Sequence, residues 1–312
     1  MQSNLPHGAP DREHGGTIIQ YALRDMKKLI FSICLLLVVL GCGPRLIYPH
    51  LNWLIPFYVD DYISLNRKQD SLLEKRLLRV LDWHCRTQLP VYARSLEEMA
   101  KDLEDPHQPL SYERLQDYSN RFITHWRELS KKIGSEMADI LATASDEQLA
   151  EMFQNIEKRN NKFKSEYVDI PLKELEKKRK KRLVKDLKHW ISPLTPEQKQ
   201  AVSDWSDQIK PLAADGLRNR ERVLTEFQNL LAKRRHDPDF KEAFVALLVN
   251  FDQMRAPDYQ EKIDYNTEVT FRLLMKIDRS LNPTQRAYLL KRIGSMASDF
   301  EKLSCDPVRI KP

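Results

Sequence analysis

This sequence has little glycine. Eight of its 312 residues are glycine, and only Gly134, Gly216 and Gly294 lie beyond Gly43. Phosphate-cradling loops and tight hairpins depend on glycine for positive φ, so nucleotide-binding loops and β-hairpins have little material here. Long apolar runs are missing too, with one exception near the start, which excludes a multispan membrane protein. There is no Gly-x-Ser-x-Gly elbow, no Walker loop and no His-Glu-x-x-His pair. The histidines His50, His84, His107, His125, His189 and His236 are scattered, with no two of them four residues apart, so a local metal site has no support. We expect no catalytic activity, no cofactor and no metal.

What remains is 41% hydrophobic and 31% charged, with a net charge of +6. That composition reads as a helix-rich body with a mild basic surplus. Such a surplus allows attraction to anionic surfaces without calling for nucleic acid.

The exceptional apolar run has a recognisable setting. Met26-Lys27-Lys28 is a short positive segment, and Leu29 to Leu40 is apolar for twelve residues. A comfortable membrane span needs about 20, whereas a secretory signal needs fewer. The run ends at Leu40-Gly41-Cys42, followed by Gly43-Pro44. A small residue just before a cysteine resembles the lipobox of bacterial lipoproteins. The resemblance implies cleavage before Cys42 and acylation of Cys42, with anchoring made durable by more than one chain. It also implies the outer membrane, facing the periplasm, because position 43 is not aspartate. The other reading is an uncleaved anchor helix with an incidental cysteine. The sequence thus divides into residues 1–25, unstructured or an over-extended start, residues 26–41 as signal peptide, and residues 42–312 as the lipoprotein body.

Cys34 would leave with the signal, so Cys85 and Cys305 remain, in a compartment that permits disulfides. Either they bridge the first and last long helices, or they are two separate buried thiols.

From Leu51 onward the sequence is helical with breaks, and no run alternates with period two. A long helix runs from Arg67 to Leu103, with Pro90 kinking or breaking it. Further helices cover Tyr112 to Ala142 and Gln148 to Lys188. Pro193, Pro211, Pro238, Pro257 and Pro283 punctuate the rest. Four short segments share one signal: Asn66 to Gln69, Ser145 to Gln148, Thr195 to Gln198 and Asn282 to Gln285. Each begins with a helix-capping residue and has Gln three positions on, which is a capping box. The successive spacings are too uneven for a solenoid repeat. The expected fold is all-α, an elongated or arched bundle of about eight to ten helices without sheet, with an articulation near 190–196.

Two resemblances follow from these residues. Leu194-Thr-Pro-Glu-Gln198 has the form of the L-T-x-x-Q motif of Spy/CpxP-type periplasmic chaperones, all-helical proteins that hold unfolding clients; a capping box alone also produces it. The second covers nearly the whole chain. Leu51-Asn-Trp53-Leu54, Tyr58 with Asp61-Tyr62, Leu65 with Gln69, Trp83-His84 with Leu89-Pro90 and Tyr92, Arg234-Arg235 with Phe240, and Leu281 to Arg286 resemble a family of proteobacterial envelope lipoproteins catalogued only as a domain of unknown function. That resemblance implies fold and location but no activity.

Three candidate surfaces stand out. Lys177, Lys178, Arg179, Lys180, Lys181 and Arg182 are consecutive, on a helix whose leucines Leu172, Leu175, Leu183 and Leu187 form one stripe. The run is either a solvated face or a contact for anionic lipid or acidic client segments. Trp83 and His84 are either packing residues or a partner contact. Tyr48, Trp53, Phe57, Tyr58 and Tyr62 are either core or membrane-interface rings. The functional expectation is a lipid-anchored, non-catalytic binding or chaperone-like protein, with a scaffold subunit of an envelope assembly as the alternative. Its partners would be the membrane through the lipid, and unfolded or acidic envelope proteins or anionic lipid, with no nucleic acid.

Overall fold

The computed structural model describes residues 44–305. Cys42 and residues 26–41, expected as a signal peptide, lie outside the described residues. The chain divides at Pro49, and in the first unit Pro44–Ile47 forms a single helical turn. The second unit, from His50, is an all-α bundle with no strand among the described residues.

Its helices are α1 (Leu51–Val59), α2 (Arg67–Trp83), α3 (Leu89–Asp102), α4 (Tyr112–Leu141), α5 (Asp146–Tyr167), α6 (Leu172–Ile191), α7 (Pro196–Gln208), α8 (Ala213–Ala232), α9 (Phe240–Val249), α10 (Pro257–Arg279) and α11 (Pro283–Leu303). A π-turn, His84–Gln88, joins α2 and α3 into one rod, so the bundle has ten. Pro90 therefore does not break the helix. Its ring would strike the carbonyl four residues back, and the widened turn, in which the Leu89 N–H reaches the His84 carbonyl, relieves that clash. No described helix is long and apolar enough to cross a membrane.

The stretch expected as one helix from Gln148 to Lys188 is two. Pro171 lacks an N–H and steers Ile170 out of the helical region. The N–H groups of Val168 and Asp169 both close on the Lys164 carbonyl, which ends α5.

All four capping boxes form, and they are paired. Gln69 Nε2 donates to Gln148 Oε1 at 3.0 Å, and Gln148 Nε2 returns a bond to Gln69 Oε1 at 2.8 Å. Gln198 and Gln285 do the same at 3.0 and 2.9 Å. Each glutamine also donates to a backbone carbonyl two residues before its partner's cap: Gln69 to Thr143, Gln148 to Ser64, Gln198 to Ser280 and Gln285 to Pro193. One local device thus occurs twice, each copy holding two helix starts together.

A hydrophobic core adjoins each copy. Ile63, Leu141, Leu149, Met152, Leu231 and Phe244 belong to the first, and Leu187, Ile191, Leu194, Val202, Leu273 and Ile277 to the second. Leu231 and Phe244 come from beyond residue 196 yet pack with Ile63. The 190–196 stretch therefore connects two helices within one packed body. It does contain local strain. Ser192 has φ 72° and ψ −163°, a region that only glycine occupies comfortably. The Gln285 bond to the Pro193 carbonyl, at 2.9 Å, fixes the chain there. Ser192→Gly should raise the unfolding free energy by about 1 kcal/mol, the strain relieved less the entropy glycine adds to the unfolded chain. A higher urea midpoint at unchanged slope would show it; a lower one would mean that the serine conformation is not strained.

Candidate functional site

Cys85 and Cys305 are joined by a disulfide, with Cα atoms 5.1 Å apart. The Cys305 N–H also donates to the Cys85 carbonyl at 3.2 Å. Cys85 is 2% exposed, so the bridge fastens the end of α11 to the interior side of the π-turn.

That turn positions His84. Its ring centroid lies 5.6 Å from Tyr92, which lies 5.1 Å from His125 and 6.0 Å from Phe300, all edge-on. Burial lowers the His84 pKa; burial and then the Arg121 charge lower that of His125. Both shifts favour the neutral imidazole. Trp83 is half-buried, and its carbonyl accepts the Thr87 hydroxyl at 2.7 Å. No group of three or more His, Cys, Asp or Glu side chains suited to a metal occurs among the described residues.

These rings form one wall of an apolar groove of about 450 Å³ between α3, α4 and α11. Leu96, Met99, Leu129, Met296 and Phe300 continue it. Its outer lip is the solvent face of α4, where Phe122 is 69% exposed and Trp126 50% exposed, with Ile123 beside them. Positions 122, 126, 129 and 133 fall on one helical stripe, the spacing of a buried face, yet nothing in the described chain covers its outer part. Arg121 stands at the edge, tied to Glu98 and Asp117.

Trp126 also borders a second, larger cavity of about 820 Å³, an open cleft lined by α4, α5, α8, α9 and α10. Ile133, Phe163, Leu224, Phe227 and Leu247 are among its walls, and its only charged lining residues are Arg220 and Arg255. Gly134 lets α9 approach α4: a Cβ there would stand 3.0 Å from Leu248 Cδ1.

The basic run on α6 is divided by its contacts. Arg179 turns inward and donates to the Ser206 carbonyl at 2.7 Å, and Lys180 donates to the Ser203 hydroxyl at 2.7 Å, so these two fasten α6 to α7. Lys178 pairs with Glu174 at 3.3 Å, and Arg182 stands 3.9 Å from Asp186. Lys177 and Lys181 are exposed, in line with Lys173 and Lys185, one every four residues along the helix. None of these four makes an ion pair among the described residues.

Of the aromatic set, Tyr62 packs against the first core, with the Arg159 guanidinium 4.2 Å from its ring centroid. Trp53 and Tyr58 are exposed. No residue of α1 is buried, although Leu51–Val59 contains no charged side chain.

Arg234 and Phe240 are structural: Phe240 is in the first core, and buried Arg234 donates to the Ala144 carbonyl at 2.7 Å, closing the turn before α5. The model of DUF6279, a family of unknown function, matches residues 61–260. The chain belongs to this family. The stretch shared with DUF6279 contains α4, the large cavity's two arginines and three box glutamines, Gln69, Gln148 and Gln198. It ends before Gln285 and Cys305. No curated protein and no solved structure matches the chain.

Sequence reasoning assigned the α4 face no role. The signal was present, in Phe122, Trp126 and Ile133 at helical spacing, but a core stripe has the same spacing.

Proposed function

We propose that this protein is an envelope lipoprotein, held at the outer membrane by acylation of Cys42, that binds apolar segments of client polypeptides in a chaperone-like way and without catalysis. The observation that carries the reading is the exposed α4 face, Phe122, Ile123 and Trp126, beside an apolar groove. Large aromatics facing solvent next to such a groove mark a binding surface. Met99 and Met296 in the groove suit varied partners, because an unbranched thioether repacks around different side chains. The Leu194–Gln198 box supports the same reading through its likeness to the Spy/CpxP motif, and the lysine row on α6 adds attraction for acidic segments or anionic headgroups. Helix α1 supports membrane proximity: an uncharged helix with no buried residue, close behind Cys42, suits the headgroup boundary.

The test is suppression of aggregation of a chemically unfolded client. The protein in slight excess should suppress it, and Phe122→Ser combined with Trp126→Ser should lose at least half of that effect. Exposed positions change stability little, so the variant's thermal midpoint should hold within a few degrees. No suppression by excess unaltered protein would end the chaperone reading. A single stoichiometric partner in cell crosslinking would replace it with a scaffold role. The anchor is checked separately: Cys42→Ser should abolish palmitate labelling and move the protein out of the membrane fraction.

A further inference from the structure

The cavity beside Trp126 is the larger of the two and has two arginines in its lining where the groove has one. We propose that it is a binding site for an anionic single-chain amphiphile, whose acyl chain fills the cavity and whose head rests on Arg220 and Arg255. This goes beyond the client-binding reading and does not depend on it.

The size and walls suit a chain. At about 820 Å³ the cavity is within the usual range of small-ligand sites, roughly 300–1,000 Å³. Phe163, Leu224, Phe227, Leu247 and Leu248 give an apolar lining from three helices.

The charge suits an anion. Arg220 and Arg255 are the only charged residues of the lining, and no carboxylate lines it. Many of the other arginines pair with carboxylates, among them Arg76 with Glu136, Arg127 with Asp252, Arg234 with Asp146 and Arg286 with Asp278. Arg220 and Arg255 have no such partner among the described residues. Their guanidinium carbons instead lie over aromatic rings, that of Arg220 at 4.1 Å from the Phe163 centroid and that of Arg255 at 5.8 Å from that of Phe251. A ring satisfies none of a guanidinium's five N–H donors, which stay available for an anionic oxygen. Arg255 spends one donor on Gln260 Oε1, at 3.1 Å.

An independent observation comes from Asn219, next in sequence to Arg220. It lines the same cavity, is 9% exposed, and its Oδ1 is buried without a hydrogen-bond partner. A buried acceptor normally finds a donor. With less than 1 Å² of Oδ1 exposed, an occupant reaches this acceptor only if the carboxamide turns toward the cavity, so the two arginines alone specify the head group.

Native mass spectrometry of the full chain in a neutral detergent tests this. The probes are 1-palmitoyl lysophosphatidic acid, palmitate and uncharged monopalmitoylglycerol. The lysophosphatidic acid should give a one-to-one adduct at least tenfold tighter than monopalmitoylglycerol. Arg220→Gln with Arg255→Gln should remove that preference and leave the neutral probe unchanged. Palmitate binding between the two assigns the added affinity to the more highly charged phosphate head; palmitate equal to lysophosphatidic acid assigns the site to any anionic chain, fatty acids included. Shortening the acyl chain should weaken binding by up to about fourfold per methylene, a readout on the unaltered protein that needs no variant to fold. Phe122→Ser should leave the adduct intact while impairing client binding, which separates the two proposals. Equal affinity for charged and neutral probes, indifference to chain length, or absence of a one-to-one adduct would each overturn the inference.

Discussion

Replacing Cys85 and Cys305 together by alanine lowers the unfolding free energy of the oxidised protein by about 3–5 kcal/mol. The bridge spans a sequence separation of 220 residues. In the chain-entropy account a loop of that length restricts the unfolded ensemble heavily, by about 5 kcal/mol, and native disulfides measured by removal contribute about 2–5 kcal/mol. The native side adds little cost, because Cys85 already sits at 2% exposure and the backbone groups of the two cysteines bond to each other. Urea unfolding of oxidised, reduced and doubly substituted protein separates the contributions. The reduced and substituted proteins should share one midpoint, well below that of the oxidised form. Coincidence of all three would mean that the bridge contributes nothing, and a substituted protein much weaker than the reduced one would place the loss in packing. Because the bridge fastens α11 to the turn bearing His84, its loss should also loosen the groove wall formed by Phe300 and Met296.

The parts of this fold that were legible in the sequence are those decided within a few residues. A capping box is closed by a residue and its third neighbour, so Asn66, Ser145, Thr195 and Asn282 announce four helix starts. What the boxes do next is not local. Read consecutively, their glutamines are unevenly spaced, and the pairing of first with second and third with fourth, across 79 and 87 residues, appears only when the helices pack. The choice between a bridge and two thiols for Cys85 and Cys305 was open for the same reason. Charge shows the opposite limitation. Six consecutive basic residues are plain to see on α6, but periodicity does not say that Arg179 and Lys180 turn toward Ser206 and Ser203 while Lys177 and Lys181 face solvent. On α4, Leu115 and Phe122 are seven residues apart and share a helical stripe. One is buried and the other exposed, because the neighbouring helices flank only part of α4's length. Asn219 and Arg220 gave no motif at all, since an unmet acceptor and an unpaired cation are defined by what surrounds them.

Gln285→Leu should destabilise the protein by about 3 kcal/mol, the largest effect expected of any single polar-to-apolar change of similar size here. Three losses combine. The cap at Asn282 loses the return bond from Gln285 Oε1 to its backbone N–H, and box residues contribute about 1 kcal/mol. The Pro193 carbonyl loses its donor beside the strained Ser192. Gln198, at 1% exposure, loses both its bonds to the partner carboxamide, and stranding a buried polar group costs about 1–3 kcal/mol. Replacing both glutamines by leucine removes the stranded group along with its partner. The double variant should therefore cost at least 1 kcal/mol less than the sum of the singles. The first pair supplies an internal comparison with the same chemistry but less burial: Gln148 is half-buried where Gln198 is enclosed. Gln148→Leu should cost somewhat less: water can reach the Ser64 carbonyl it leaves, although Gln69, at 3% exposure, is stranded much as Gln198 is. Urea unfolding of the four single and two double variants gives all the terms. Additive costs would deny that the glutamines act as pairs, and equal costs in both pairs would mean that the caps set their strength and burial does not. The expected ranking, with strong coupling in the enclosed pair and weaker coupling in the wetter one, would identify the second pair as the firmer joint, where the strained Pro193 turn is held against the start of α11.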